Sequence, residues 1–306
     1  MTHIQAFIDA VGLGSVYALI AVGIGLVFGV LRLINFAYGQ LIMLAAYALA
    51  FTDSWPDAAS IVLAVLVAVA ASLVLERVAF RPLRTADPST MLVATFAIAY
   101  LLQNAALVQY AYRQQGGLGD SIGTLSGLNQ AVTIGSLHIR WSTFLAIGCG
   151  LVAFGGLALL LNRTTIGLQM RAASMDFKTA RLLGVKADTV IMAAVAVSGV
   201  LAAVAAVNLS ITSTSVNQTT GLNETIVVLV GVVAGGIDRL VSATLGGFAI
   251  GFAIAFVGVE LPNSGTAPFT SNVYLPSVIY LAVIVSLLLR PQGLFARAGQ
   301  GGVERV

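Results

Sequence analysis

Long apolar runs, separated by short clusters of charge, proline or amides, make up most of the chain. A bilayer core about 30 Å thick takes roughly 20 apolar residues per helix. Runs of that kind cover residues 5–29, 37–52, 58–75, 90–111, 141–161, 190–210, 223–237, 243–260 and 274–289. The pattern predicts an all-α polytopic membrane protein with about eight to ten transmembrane helices, forming one transmembrane domain over 1–306. The second, seventh and eighth runs are short or interrupted by glycine. These are expected to be broken or re-entrant helices, because irregular backbone at membrane depth survives only where protein or a wet cavity surrounds it.

Composition agrees with this reading: 58% of the 306 residues are hydrophobic and only 9% are charged. Soluble domains carry about 25% charged residues. Soluble enzymes, nucleic-acid-binding proteins and disordered chains are therefore excluded. The basic pI near 9.2 is explained by where the charges lie. When the runs are threaded in alternation with the C-terminus inside, 13 of the 15 Lys and Arg residues fall on one face, and only Arg113 and Arg140 fall on the other. The positive-inside rule makes the first face cytoplasmic and places the N-terminus outside. No Lys or Arg precedes the first run, so no cleaved signal peptide is expected. A single cysteine, Cys149, leaves no disulfide framework. With His3 and His138 far apart in sequence and without neighbouring ligands, no metal site is expected.

The connections differ in character. Loops 112–140 and 211–222 are polar but nearly uncharged, which suits a docking or gating surface. Loop 162–189, on the basic face, is the most basic connection. Within it Asp176 to Leu183 reads as a short helix, with Ser174 or Asp176 to cap its start and Gly184 to take the left-handed position that ends it.

Candidate chemistry is sparse. The only lysines, Lys178 and Lys186, do not follow a glycine loop, so the chain carries no phosphate-binding P-loop. No nucleophile elbow or paired membrane carboxylate marks an enzyme, and no catalytic residue is assigned. The acidic residues sit at segment ends, which argues against ion coupling; Glu224, opening the seventh run, is the exception and also suits a helix N-terminus. Neutral polar residues inside the runs are Ser15, Tyr17, Asn35, Gln40, Thr95, Gln103, Asn104 and Asn208. Each must face another helix or a wet cavity. Interhelical hydrogen bonding suffices for Ser15 and Thr95. Asn35, where a helix is interrupted, and the adjacent Gln103 and Asn104 are candidates for a solute pathway, together with Tyr38, Asn208 and Glu224. Gly25-x-x-x-Gly29, Gly231-x-x-x-Gly235 and Gly247-x-x-x-Gly251 read as close helix packing or, with Gly236, as a gate.

Several stretches together resemble the permeases of branched-chain amino acid ABC importers. They are Gly14-Ser-Val-Tyr-Ala-Leu-Ile-Ala-Val-Gly23 with Ile34-Asn-Phe-Ala-Tyr-Gly39, then Glu76-Arg-Val-Ala-Phe-Arg-Pro-Leu-Arg84. Further on come Gly167-Leu-Gln-Met-Arg-Ala172 with Ala180-Arg-Leu-Leu-Gly-Val185, Gly235-Gly-Ile through Gly246-Gly247, and Leu289-Arg-Pro-Gln-Gly-Leu-Phe295. Their order and spacing over nearly the whole chain carry the likeness. Tyr38, Ser242 and Ala296 depart from it, standing where the family often has His, Gly and Gly. The resemblance implies a second related permease subunit, two cytoplasmic ATPase subunits that use ATP and Mg, and an extracytoplasmic substrate-binding protein. It implies no cofactor bound by this chain, a bacterial inner-membrane location, and a coupling role for loop 162–189 through Gly167, Arg171, Ala172, Ala180, Arg181 and Gly184. The implied cargo is an aliphatic amino acid. Urea, short amides and sugars are the cargo of related systems, and a secondary carrier or a structural subunit is the rival from another class.

Overall fold

A computed structural model describes residues 2–31, 35–52, 54–84, 86–113, 120–121, 131–134, 137–175, 177–213, 215–237, 239–260 and, further on, 277, 280–281, 283–285 and 288. Eight of the nine expected apolar runs are helical. They are α1 (Thr2–Leu31), α2 (Tyr38–Phe51), α3 (Asp57–Leu75), α5 (Pro88–Arg113), α6 (Trp141–Arg163), α9 (Ala187–Thr212), α10 (Thr220–Gly235) and α11 (Leu240–Glu260). Six of these are long and apolar enough to cross a bilayer. The ninth run, 274–289, falls largely outside the described residues, although its described positions are helical.

The two short helices are the ones expected to be broken. With 14 residues in α2 and 16 in α10, they reach about 21 and 24 Å, short of a hydrocarbon core about 30 Å thick. The eighth run behaves differently: as α11 it is 21 residues long and continuous, so its glycines do not break it. Helix α3 also outruns its expected end. It passes through a π turn (Glu76–Phe80) into α4 (Arg81–Leu83). Pro82 offers no N–H and crowds the carbonyl four residues earlier, and the widened turn, with the Arg81 N–H reaching the Glu76 carbonyl, absorbs that misfit.

Helix α1 forms the centre, packing against α11, α9, α6 and α10, while α3 packs on α9 and α2. Its most apolar stretch is 72% buried, against 11% for that of α6. The interior is built mainly from small side chains, among them Ala45, Ala64, Ala68, Ala194, Ala202 and Ala206. In lipid there is no hydrophobic gain from burying leucine, so close backbone approach through small residues is what holds helices together. Large apolar side chains such as Leu66, Val93, Leu101, Leu151 and Val152 point outward from α3, α5 and α6, as expected for surfaces facing acyl chains.

Among the described residues, four short strands lie in the two polar loops. β2 (Ala131–Ile134) pairs antiparallel with β3 (Leu137–Arg140), with Ala131 opposite Arg140. β1 (Asp120–Ser121) pairs with β4 (Ser215–Val216), joining loop 112–140 to loop 211–222 on one face. The opposite, basic face carries α7 (Thr165–Met175) and α8 (Phe177–Leu182).

Candidate functional site

The interruption between α1 and α2 is made by Asn35. Its side-chain Oδ1 accepts the Ala37 N–H at 2.9 Å, and its carbonyl accepts the Tyr38 N–H at 3.4 Å, a local turn that competes with helix continuation. Thr95 of α5 supports the turn by accepting the Phe36 N–H at 3.4 Å. Helix α2 then begins deep inside. Tyr38 is fully buried, and its hydroxyl lies so close to Gly23 of α1 that a Cβ at Gly23 would overlap it.

The first turns of α2 and α10 meet there. A Cβ at Gly221 would overlap the Gly39 carbonyl, and one at Gly39 would overlap both the Gly221 carbonyl and the Thr225 hydroxyl. Around this crossing several buried polar atoms have no hydrogen-bond partner among the described residues: the Tyr38 hydroxyl, both side-chain heteroatoms of Gln40 and the Thr225 hydroxyl. Glu224, one residue before Thr225, accepts a hydrogen bond from the Tyr17 hydroxyl of α1, while its Oε2 has no partner among the described residues. Two half-length helices starting side by side, with unspent amide and hydroxyl groups, make a polar point in an apolar bundle.

Glycine packing surrounds this point. Gly247 and Gly251 bring α11 against Ala21 and Tyr17 of α1, and Gly231 and Gly235 meet Gly246 and Ser242 across the α10–α11 contact. Gly236 stops α10 with φ +110°, a conformation L side chains rarely adopt, and turns the chain into α11. Gly25 touches Leu240 and Ala243, but Gly29 faces nothing within 4 Å among the described residues.

On the basic face, Thr164 starts α7 by accepting the Gly167 N–H at 3.0 Å. Gly167 is buried where any Cβ would strike the α6 backbone at Leu160 and Leu161, so α7 folds tightly under α6. Arg171 donates to the Asn162 Oδ1 at 3.1 Å. Ser174, one of the two caps expected for the short helix, instead belongs to α7 and donates to the Arg171 carbonyl at 2.8 Å; the alternative cap, Asp176, lies outside the described residues. Helix α8 ends in a Schellman arrangement, with Val185 N–H to Ala180 O and Gly184 N–H to Arg181 O, both at 3.1 Å, and Gly184 at φ +90°. Ala180 is buried and Ala172 half-buried, whereas Arg181 is exposed. Three large apolar side chains project beside them: Met175, Leu182 and Leu183 are 88%, 87% and 82% exposed.

An ion-pair network links this face to α3. Arg84 bridges the buried Glu76 of the π turn to Asp188 in the first turn of α9, and Arg81 reaches Asp188 at 3.3 Å.

Residues 6–288 match the family described as branched-chain amino acid transport system / permease component. The high-affinity branched-chain amino acid transport system permease protein BraD of Pseudomonas aeruginosa is 30% identical, over 96% of this chain and 96% of BraD. The chain belongs to this branched-chain amino acid permease family. Permease protein LivH of Escherichia coli is 28% identical, again over 96% of both chains. Among solved structures, an inward-facing metal-chelate type ABC transporter aligns over 94% of the chain and 87% of its own, with TM-score 0.53 and 16% identity, a likeness of fold. The permease is accordingly a multi-pass membrane protein.

The permease brings some of the expected pathway residues together and separates others. Asn35, Tyr38 and Glu224 lie on the elements that form or flank the α2–α10 crossing. Asn208 is embedded in α9, where its Nδ2 donates to the Val204 carbonyl at 2.8 Å. Gln103 and Asn104 diverge: Gln103 keeps a buried, unpartnered Oε1, while Asn104 is exposed on α5 and donates to the Tyr100 carbonyl at 2.7 Å. Gln40 reads from the sequence as a polar residue that must face a helix or a wet cavity, but not as a pathway candidate, and Thr225 is not among the polar residues named there. Their only signal is a polar side chain near the start of two short apolar helices.

Proposed function

We propose that this chain is one membrane half of an ATP-driven importer for branched-chain aliphatic amino acids, working by alternating access. A second related permease subunit completes the pathway. Two cytoplasmic ATPase subunits bind ATP and Mg, and an extracytoplasmic binding protein delivers the cargo. The chain itself performs no catalysis. Its basic face, with the C-terminus, is cytoplasmic, and its N-terminus is periplasmic in the bacterial inner membrane, in keeping with the charge distribution.

The observation that carries this reading is the α7–α8 segment. It presents Met175, Leu182 and Leu183 almost fully to solvent on the basic face, flanked by Arg171 and Arg181. Exposed apolar side chains of that size outside a membrane mark a protein contact. A groove on an ATPase subunit is the partner that the family membership suggests, and ATP-driven closure of the two ATPases would draw the two coupling segments together. The α2–α10 crossing supports the other half of the mechanism. Half-helices bounded by the Asn35 turn and by Gly235-Gly236 can re-pack as units, exposing a polar point to one side at a time. A zwitterionic amino acid suits it: helix N-termini and neutral side chains meet the charged groups, and the alanine- and valine-rich walls meet the side chain.

The test is to solubilise native membranes gently, pull on a tag at the C-terminus, and identify what co-purifies. Two ATPase chains with a second permease are the expected result. ATP-dependent uptake of radiolabelled leucine by the reconstituted complex then assigns the cargo. A chain that purifies alone, with leucine flux driven by an ion gradient, would overturn the reading.

A further inference from the structure

A cavity of about 350 Å³ opens at the basic end of α1, between α6 and α11 and beneath α7. Its interior is apolar, with Leu26, Val30, Leu157, Leu161, Met170 and Leu240 among the lining side chains. Its polar lining is gathered on one side, in Asn162 at the end of α6 and Arg171 and Ser174 of α7, and no acidic residue among the described residues lines it. The lips are Phe154 of α6 and Val241 of α11, 38% and 58% exposed, both within helices long and apolar enough to cross a bilayer. The opening therefore lies on the outer surface of this chain, between helices long and apolar enough to cross a bilayer, rather than in its interior.

The floor is unusual. In Gly25-x-x-x-Gly29 such spacing brings a neighbouring helix into contact. Here only Gly25 is covered, and among the described residues the α1 surface at Gly29 meets nothing within 4 Å. A bare strip of helix beside an apolar hollow suits a flexible hydrocarbon chain. Arg171 spends one donor on Asn162, and a guanidinium has five, so donors remain for an anion held at the rim.

We propose that this cavity binds one anionic phospholipid, with an acyl chain lying against Gly25 and Gly29 and the phosphate held by Arg171 beside Asn162. The lipid would wedge α7 against α1 and α11 and so stiffen the base of the segment that carries α8. The proposal concerns the isolated chain and stands whether or not the segment docks an ATPase.

The experiment is native mass spectrometry of the detergent-purified full chain, titrated with phosphatidylglycerol or, separately, phosphatidylethanolamine. Three variants are compared with the wild type: Arg171→Gln, Gly29→Leu, which fills the hollow without displacing any described neighbour, and Gly155→Leu, a control at an uncovered glycine of α6 outside the cavity. One tightly held phosphatidylglycerol is expected, with about fivefold preference over phosphatidylethanolamine from a single arginine at the surface. Arg171→Gln is expected to erase the preference, Gly29→Leu to lose the tight lipid altogether, and Gly155→Leu to change neither. Melting curves confirm that each variant is folded. A folded Gly29→Leu chain that keeps the lipid, or a preference unchanged in Arg171→Gln, would overturn the proposal.

Discussion

Arg84→Met leaves the Glu76 carboxylate buried without its cation. The Glu76 side chain is 2% exposed, Arg84 21% and Asp188 56%, so the network runs from a dry end at the π turn to a wet end at the start of α9. Breaking a buried ion pair by removing one partner costs about 3–5 kcal/mol, because the remaining charge is neither solvated nor paired. Arg84 lies near the membrane edge and is a fifth exposed, so some water can follow its removal. The expected loss is therefore at the low end, about 3 kcal/mol, or more than a hundredfold in the folding equilibrium. Glu76→Gln is milder, about 1 kcal/mol, since Arg84 keeps Asp188 and partial access to water. Glu76→Leu with Arg84→Met, which removes both charges, is expected to return to within about 1 kcal/mol of wild type. Asp188→Asn should do little, because an exposed pair is screened. The assay is equilibrium unfolding in mixed micelles followed by circular dichroism. If the double variant is as unstable as Arg84→Met alone, an unpaired buried carboxylate is not the cause, and the reasoning fails.

Gly221→Val is expected to cost about 1–3 kcal/mol or to prevent stable accumulation, because its side chain overlaps the Gly39 carbonyl, whereas Gly155→Val, facing open space, should stay within about 0.5 kcal/mol; the same unfolding assay distinguishes them. Arg171→Glu is expected to insert normally yet abolish ATP-driven uptake in vesicles, and normal uptake would remove the coupling assignment. In a Cys149→Ser background, Leu183→Cys is expected to react with an impermeant maleimide only in inverted membrane vesicles, and Asn217→Cys only in spheroplasts. The opposite labelling would reverse the topology.

Much of this molecule was legible in one dimension. The long apolar runs became α1, α3, α5, α6 and α9, and two of the three short or glycine-interrupted runs became the half-length α2 and α10, while the third, expected to be broken, became the continuous α11. Gly184, expected from its position to end a short helix in the left-handed region, does so at φ +90°. Asn35 was expected at a break and makes the turn there with its own side chain. Other features were hidden. The charges at Glu76 and Arg77 read as the end of a span, yet the helix continues to Leu83, because Arg84, eight residues on, neutralises Glu76. Gly29 read as a packing glycine and borders a cavity instead. The β1–β4 pairing joins loops about a hundred residues apart, and two-residue strands leave no periodic signal.

The sequence by itself determined the solvent, the number and length of most helices, and the face on which the cations lie, because apolar length and charge placement are local quantities that a bilayer reads directly. Only the tertiary structure decided which side of each helix meets protein and which meets lipid. The physical reason is that acyl chains are as apolar as leucine, so hydrophobicity does not distinguish the two surfaces. Steric fit does, and the meetings of Gly39 with Gly221, Tyr38 with Gly23 and Gly246 with Gly235 depend on backbones that come together only when all the helices have packed.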